Sequence, residues 1–218
     1  MSEGVAVSSG HPALLVTEGL KVAGAHDRPL NLVLRAGDRV GLLGAGAETL
    51  DVLRALARLR RPTTGRLLWR DVDVAGRPRW LLGARRDDVV LIWANPYALF
   101  PSESSPEKVL EAEAERGGSA GFPAALINAQ IGELSALQRV RLALTFAANG
   151  PASVVLVDDV FSALSPVLWP SIWDQLDGIA DAGKGLLVAS RHASALTRAD
   201  RLLSLLDDGG PGQSLRRP

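Results

Sequence analysis

Val40 to Leu50 read V-G-L-L-G-A-G-A-E-T-L, an apolar run that breaks into closely spaced glycines and then turns polar. That order suits a loop of the form G-x-x-x-x-G-K-[ST]. In such a loop backbone N–H groups cradle phosphates, the lysine reaches the outer phosphates and the hydroxyl holds Mg²⁺. Gly41 and Gly46 take the two glycine positions, but Ala47 then stands at the lysine and Glu48 at the hydroxyl. If Gly44 starts the loop instead, the loop is too short. Either register describes phosphate chemistry with its cation deleted.

A second chemical feature lies far along the chain. Val154 to Leu164 read V-V-L-V-D-D-V-F-S-A-L, so an apolar run ends in the paired acids Asp158 and Asp159. A strand followed by an acidic helix cap fits the same residues. Leu134 to Leu144, L-S-A-L-Q-R-V-R-L-A-L, place Ser135 and Gln138 at a helix start, where free N–H groups and the positive dipole end favour an anion. The plainer alternative is a helix capped by Ser135, with Leu137, Val140 and Leu144 facing a core.

These residues need a scaffold, and the chain is large enough to build one. Its 218 residues are 47% apolar and 22% charged, an ordinary globular balance. Lys+Arg and Asp+Glu both number 24, which argues against a nucleic-acid binder. The Arg58 to Arg61 patch reads as a solvated helix end. No cysteine is present, so disulfides, thiolate metal sites and thiol nucleophiles are excluded. Neither a secretory leader nor an apolar run long enough to span a bilayer is visible. The expected location is cytoplasmic, with any membrane contact made through partners.

Strand-like and helix-like patterns alternate, which predicts an α/β fold with a mostly parallel sheet. Strands are expected at Asp38 to Leu43, Val89 to Trp93, Val154 to Val157, Leu186 to Ala189 and Leu202 to Leu206. A helix is expected over Glu48 to Leu59, with Val52, Leu56 and Leu59 on one face. Ser105-Pro106-Glu107 opens another, running to about Arg116 and breaking at Gly117 to Gly121. Trp169 and Trp173, spaced i and i+4, fit a buried core or an interface. The first and last ten residues read as loose ends.

Two further segments complete a set of five in fixed order. Ile92 to Pro101 read I-W-A-N-P-Y-A-L-F-P, and Leu186 to His192 read L-L-V-A-S-R-H. Together the five resemble the nucleotide-binding subunit of ATP-binding-cassette (ABC) transporters over roughly Leu14 to Gly209. The resemblance implies a P-loop NTPase-like core with an N-terminal antiparallel β part and a shortened helical subdomain. It implies one domain over 12–210, with core 12–93 and 145–208 and a helical subdomain at about 97–144. Residues 1–11 and 211–218 would be flexible ends.

The resemblance also assigns roles. Gly41, Gly44, Gly46 and Thr49 would be remnants of the phosphate loop. Ser135 and Gln138 would be remnants of the signature, whose two glycines are here Ala136 and Leu137. Asp158 would be a vestigial Mg²⁺ ligand and Asp159 a vestigial catalytic acid, one methylene shorter than the usual glutamate. Ser165 replaces the acid that ends the following loop. Ala94 or Asn95 stands where a glutamine belongs. Arg191 takes the switch position if the strand sets the register; a one-residue insertion would return it to His192. Val22 to Ala25 offers no aromatic for adenine.

The family works as a dimer sandwiching two nucleotides, each held between one subunit's loop and the other's signature. A site on this chain's own loop lacks its lysine and gains Glu48. Like charges about 4 Å apart repel by ~1 kcal/mol in water and ~4 kcal/mol at an effective dielectric of 20. ATP hydrolysis by this chain alone is therefore not expected, nor is a cofactor of its own. The expected partners are an active ATPase subunit, which could share ATP and Mg²⁺ at a joint site, and transmembrane permease subunits; nucleic acid is not expected. A non-catalytic scaffold in a soluble complex, or an enzyme with an unusual cation in its loop, would fit the same residues.

Overall fold

The computed structural model describes residues 11–25, 29–44, 46–75, 88–111 and 121–205, together with the backbone of 215–216. Two sheets organise them. Near the N-terminus, β1 (Ala13–Lys21), β2 (Leu30–Arg35), β4 (Thr64–Trp69) and β5 (Val72–Asp73) form an antiparallel sheet in the order β2-β1-β4-β5. In β2 burial alternates, with Leu30, Leu32 and Leu34 turned inward, as a sheet with one buried face requires. Gly65 in β4 has φ +85°, and a Cβ there would lie 2.3 Å from the Gly19 carbonyl oxygen, so only glycine fits this crossing.

The second sheet carries the site. It is built from β3 (Arg39–Leu43), β6 (Val89–Ile92), β7 (Val154–Asp158), β8 (Gly185–Ser190), β9 (Arg201–Ser204) and β10 (Leu215–Arg216), in the order β10-β9-β3-β8-β7-β6. Every pairing is parallel except β10 on β9. β7 and β8 are buried at every position, which is why they read as continuous apolar runs rather than alternating ones. The C-terminal stretch, expected to be loose, thus contributes a two-residue strand; the first ten residues lie outside the described ones.

Helices cover the parallel sheet. α1 (Gly46–Leu56) buries Val52, Leu53 and Leu56 in a core shared with the antiparallel sheet. It ends three residues before the predicted Leu59, which is instead among the exposed large apolar side chains. α3 (Ala136–Asn149) and α4 (Trp169–Asp181) pack on a second core with Phe161, Trp173 and Leu176. Lys184 Nζ donates to the carbonyls of Ala147, Gly150 and Ala152, closing the C-terminus of α3. A short α2 (Pro106–Glu111) anchors a small third cluster on Leu110, Phe122, Ile131 and Leu142. The rest of its predicted span and most of the glycine break fall outside the described residues. Among the described residues, no helix is long and apolar enough to cross a membrane.

Candidate functional site

In a parallel α/β sheet, ligands meet the carboxyl ends of the strands. Here those ends gather the sequence-derived candidates: Gly44 after β3, Trp93 and Ala94 after β6, Asp158 and Asp159 at the end of β7, and Arg191 and His192 after β8.

Only positions 44 and 45 separate β3 from α1. Gly44 N–H donates to Ser190 O (3.2 Å), and a Cβ on Gly44 would stand 2.9 Å from Thr49 Cγ2, so the chain is packed tight here. Gly41 is not in the connection. It sits inside β3, where its missing side chain admits Leu202, Leu196 and Ala199. Thr49 is 1% exposed and its hydroxyl donates back to Gly46 O (3.1 Å), an intrahelical use. Glu48, the misfit in a phosphate loop, lies in the first turn of α1, where a carboxylate suits the positive end of the helix dipole.

Asp159 occupies a left-handed backbone conformation (φ 37°, ψ 36°) and is 2% exposed. Three donors converge on its carboxylate. Ser190 Oγ donates to Oδ1 (3.1 Å), while Ser162 Oγ (2.8 Å) and Arg191 Nε (2.7 Å) donate to Oδ2. The guanidinium of Arg191 reaches on toward α1: a Cβ on Gly46 would lie 3.5 Å from Arg191 Nη2. His192 takes another direction. Its N–H donates to Ser190 Oγ and its ring stacks on Trp169, with centroids 6.0 Å apart. Arg191, not His192, therefore meets the acid that follows β7.

Asp158 is satisfied far less well. It is 3% exposed, its Oδ2 accepts a long bond from Ala94 N–H (3.3 Å), and its Oδ1 has no donor. Burial pushes this carboxyl up to about 6. The Ala94 bond opposes that shift, the neighbouring Asp159 charge adds to it, and Arg54 and Arg191 pull it back. The Arg54 guanidinium lies 5.2 Å from the ring centroid of Trp93. Asn95 caps the short turn Pro96–Ala98 by accepting from Tyr97 N–H (3.0 Å).

Ser135 and Gln138 form a reciprocal capping box at the start of α3. Ser135 Oγ accepts from Gln138 N–H (3.3 Å), and Gln138 Oε1 accepts from Ser135 N–H (2.8 Å). Val140 and Leu144 are buried, so the capped-helix alternative describes this segment's local structure. Trp173 is core, its Nε1 donating to Ala195 O, while Trp169 is half-buried beside Phe161. Nothing in the spacing of the sequence pointed to Ser162 and Ser190 as partners of Asp159, or to Arg54 over Trp93. Long-range contacts of this kind leave no local periodicity.

The described residues hold no group of three or more His, Cys, Asp or Glu side chains that could bind a metal ion. Structural comparison places the fold. A dimeric cassette of a bacterial ABC transporter superposes with a TM-score of 0.73, covering 93% of this chain and 99% of that one at 18% identity. A nucleotide-free ATP-binding cassette from an ABC transporter gives 0.72, covering 88% and 87% at 17% identity. The fold is that of an ATP-binding cassette. No protein-family model matches the chain. Curated relatives are nevertheless similar along most of this cassette. The methionine import ATP-binding protein MetN of Xylella fastidiosa is 27% identical over 197 residues, 84% of the chain and 58% of that protein. The sulfate/thiosulfate import ATP-binding protein CysA of the same organism is 30% identical over 201 residues, 83% of the chain and 56% of that protein. The cassette thus spans little more than half the length of these relatives. Sequence relatives and structural neighbours together support kinship with the ATP-binding subunits of ABC transporters.

Proposed function

We propose that this chain is a catalytically degenerate cassette subunit of an ABC transporter, which pairs with an active ATPase subunit and docks on transmembrane permease subunits. The observation that carries the reading is the Arg191–Asp159 ion pair beside the first residue of α1. At that end of the sheet a nucleotide's phosphates would need an open cradle, a lysine and a metal held by acids. The chain instead has a two-residue connection, Ala47 and Glu48 in place of lysine and hydroxyl, and an acid already neutralised by its own arginine. Mg-ATP does not fit these residues, and no catalytic step is assigned to them.

The other half of a nucleotide sandwich asks less of this subunit. The backbone N–H groups of Ala136 and Leu137 head α3 and lie outside its internal hydrogen-bond ladder. A partner with an intact loop could present its phosphates to that helix start, so catalysis would belong to the partner's loop and this subunit would complete the wall opposite. The similar proteins are named for different cargoes, methionine and sulfate/thiosulfate among them, so no cargo is assigned.

Calorimetry with Mg-ATP on the purified chain tests the reading. The expected result is no saturable binding; micromolar affinity would overturn it. Co-purification of the tagged chain with a membrane fraction and a second, lysine-bearing cassette is the expected outcome for the assembly. Recovery from cells as a complex without membrane proteins would refute that part.

A further inference from the structure

Asp158 floors a cavity of about 270 Å³ that is also lined by Leu50, Trp93, Ala94, Asn95 and Ala98. The walls are mainly apolar, and the volume suits a fragment rather than a large ligand. The floor is the unusual part. A buried carboxyl ordinarily collects donors, because an unmatched polar oxygen in the interior costs free energy. Asp159 has three donors, whereas Asp158 has one long bond from Ala94 and none at Oδ1. Neither nearby arginine donates to it, although both act on it through space: Arg191 bonds Asp159, and Arg54 lies over the Trp93 ring.

We propose that this cavity binds a small primary ammonium ligand, its –NH₃⁺ head on the Asp158 carboxyl and its short apolar body against Leu50, Ala98 and Trp93. An ammonium head brings three donors and a compensating charge, which is what the carboxyl lacks. An alcohol of the same size would fill the walls but bring a single donor, and a quaternary ammonium would bring charge without a donor. A hydrated divalent ion is a poor match, because apolar walls and a lone carboxylate do not supply its oxygen shell. The inference rests on the reading above that Asp158 no longer serves a nucleotide-bound metal.

Binding to the purified 218-residue chain is followed by NMR and by indole fluorescence, with Trp93→Phe identifying the reporter. The probes are n-butylammonium, 1-butanol, tetramethylammonium and Mg²⁺, each titrated alone. Saturable n-butylammonium binding at least about tenfold tighter than that of the other three supports the proposal. Asp158→Asn should weaken it by a similar factor while leaving 1-butanol unchanged. Ala98→Leu, which fills the cavity and keeps the carboxyl, should abolish it even if the Asp158→Asn variant does not fold. Equal affinity for 1-butanol, saturation by Mg²⁺ instead, or no n-butylammonium saturation would each overturn it. A parallel Mg-ATP titration separates the two readings. Mg-ATP binding defeats the degenerate-cassette proposal, whereas failure of the amine with Mg-ATP also silent defeats only this one.

Discussion

Replacing Asp158 by asparagine should flatten a pH dependence of stability that the wild-type chain carries. Its carboxyl titrates near 3.8 in the unfolded chain and is pushed up to about 6 by burial in the fold. Between those values the folded state binds more protons than the unfolded one, so stability falls as pH rises. The group adds no penalty below its unfolded value and its full penalty above about 6. At about 1.36 kcal/mol per unit, that penalty is roughly 3 kcal/mol at neutral pH. Between pH 5 and pH 7.5 alone it amounts to about 1 kcal/mol. The asparagine would have no proton to release and could still accept from Ala94 N–H. Its new N–H₂ would lack a partner at a cost of about 1–3 kcal/mol, so absolute stability at neutral pH is a poor readout. The difference in slope is the clean one, since the other carboxylates are common to both proteins. Urea denaturation of both proteins at the two pH values measures it. An asparagine variant that loses as much stability as wild type between pH 5 and pH 7.5 would refute the reasoning.

Two further outcomes follow from the contacts. Arg191→Ala leaves the 2%-exposed Asp159 with only two serine hydroxyls. Because Arg191 is itself half in solvent, the expected loss is moderate, about 1–2 kcal/mol by urea denaturation. Lys184→Met keeps the apolar stem but removes donors from the carbonyls of Ala147, Gly150 and Ala152. A destabilisation of about 2–3 kcal/mol is expected, with faster amide exchange in the last turn of α3.

Much of the parallel sheet was legible because its strands are sealed on both faces. Val154 to Val157 and Leu186 to Ala189 had to be apolar throughout, and a continuous apolar run is hard to hide. The antiparallel strands are half-exposed and bulged, with register shifts between β1 and both of its neighbours, so no single segment announced itself. At the site, the sequence pattern located the strand ends to within a residue but not the wiring between them. Gly41 read as a loop residue because a glycine's purpose is invisible in sequence; its neighbours Leu202, Leu196 and Ala199 come from a strand and turn far downstream. That Arg191 rather than His192 bonds Asp159 was likewise illegible, because it depends on Ser190 Oγ donating to Asp159 and accepting from His192 N–H.

The arginine beside Asp159 has a consequence for how this end of the sheet responds to its surroundings. A counter-ion drawn from solution stabilises a protein by an amount that rises and falls with its concentration. Arg191 directly follows β8, the parallel neighbour of β7, and is tethered there, so its supply never varies. Charge balance at Asp159 is settled when the chain folds and is indifferent to how much cation or nucleotide the surroundings contain. In the subunit role proposed above, Asp159 would therefore not be the group that senses nucleotide.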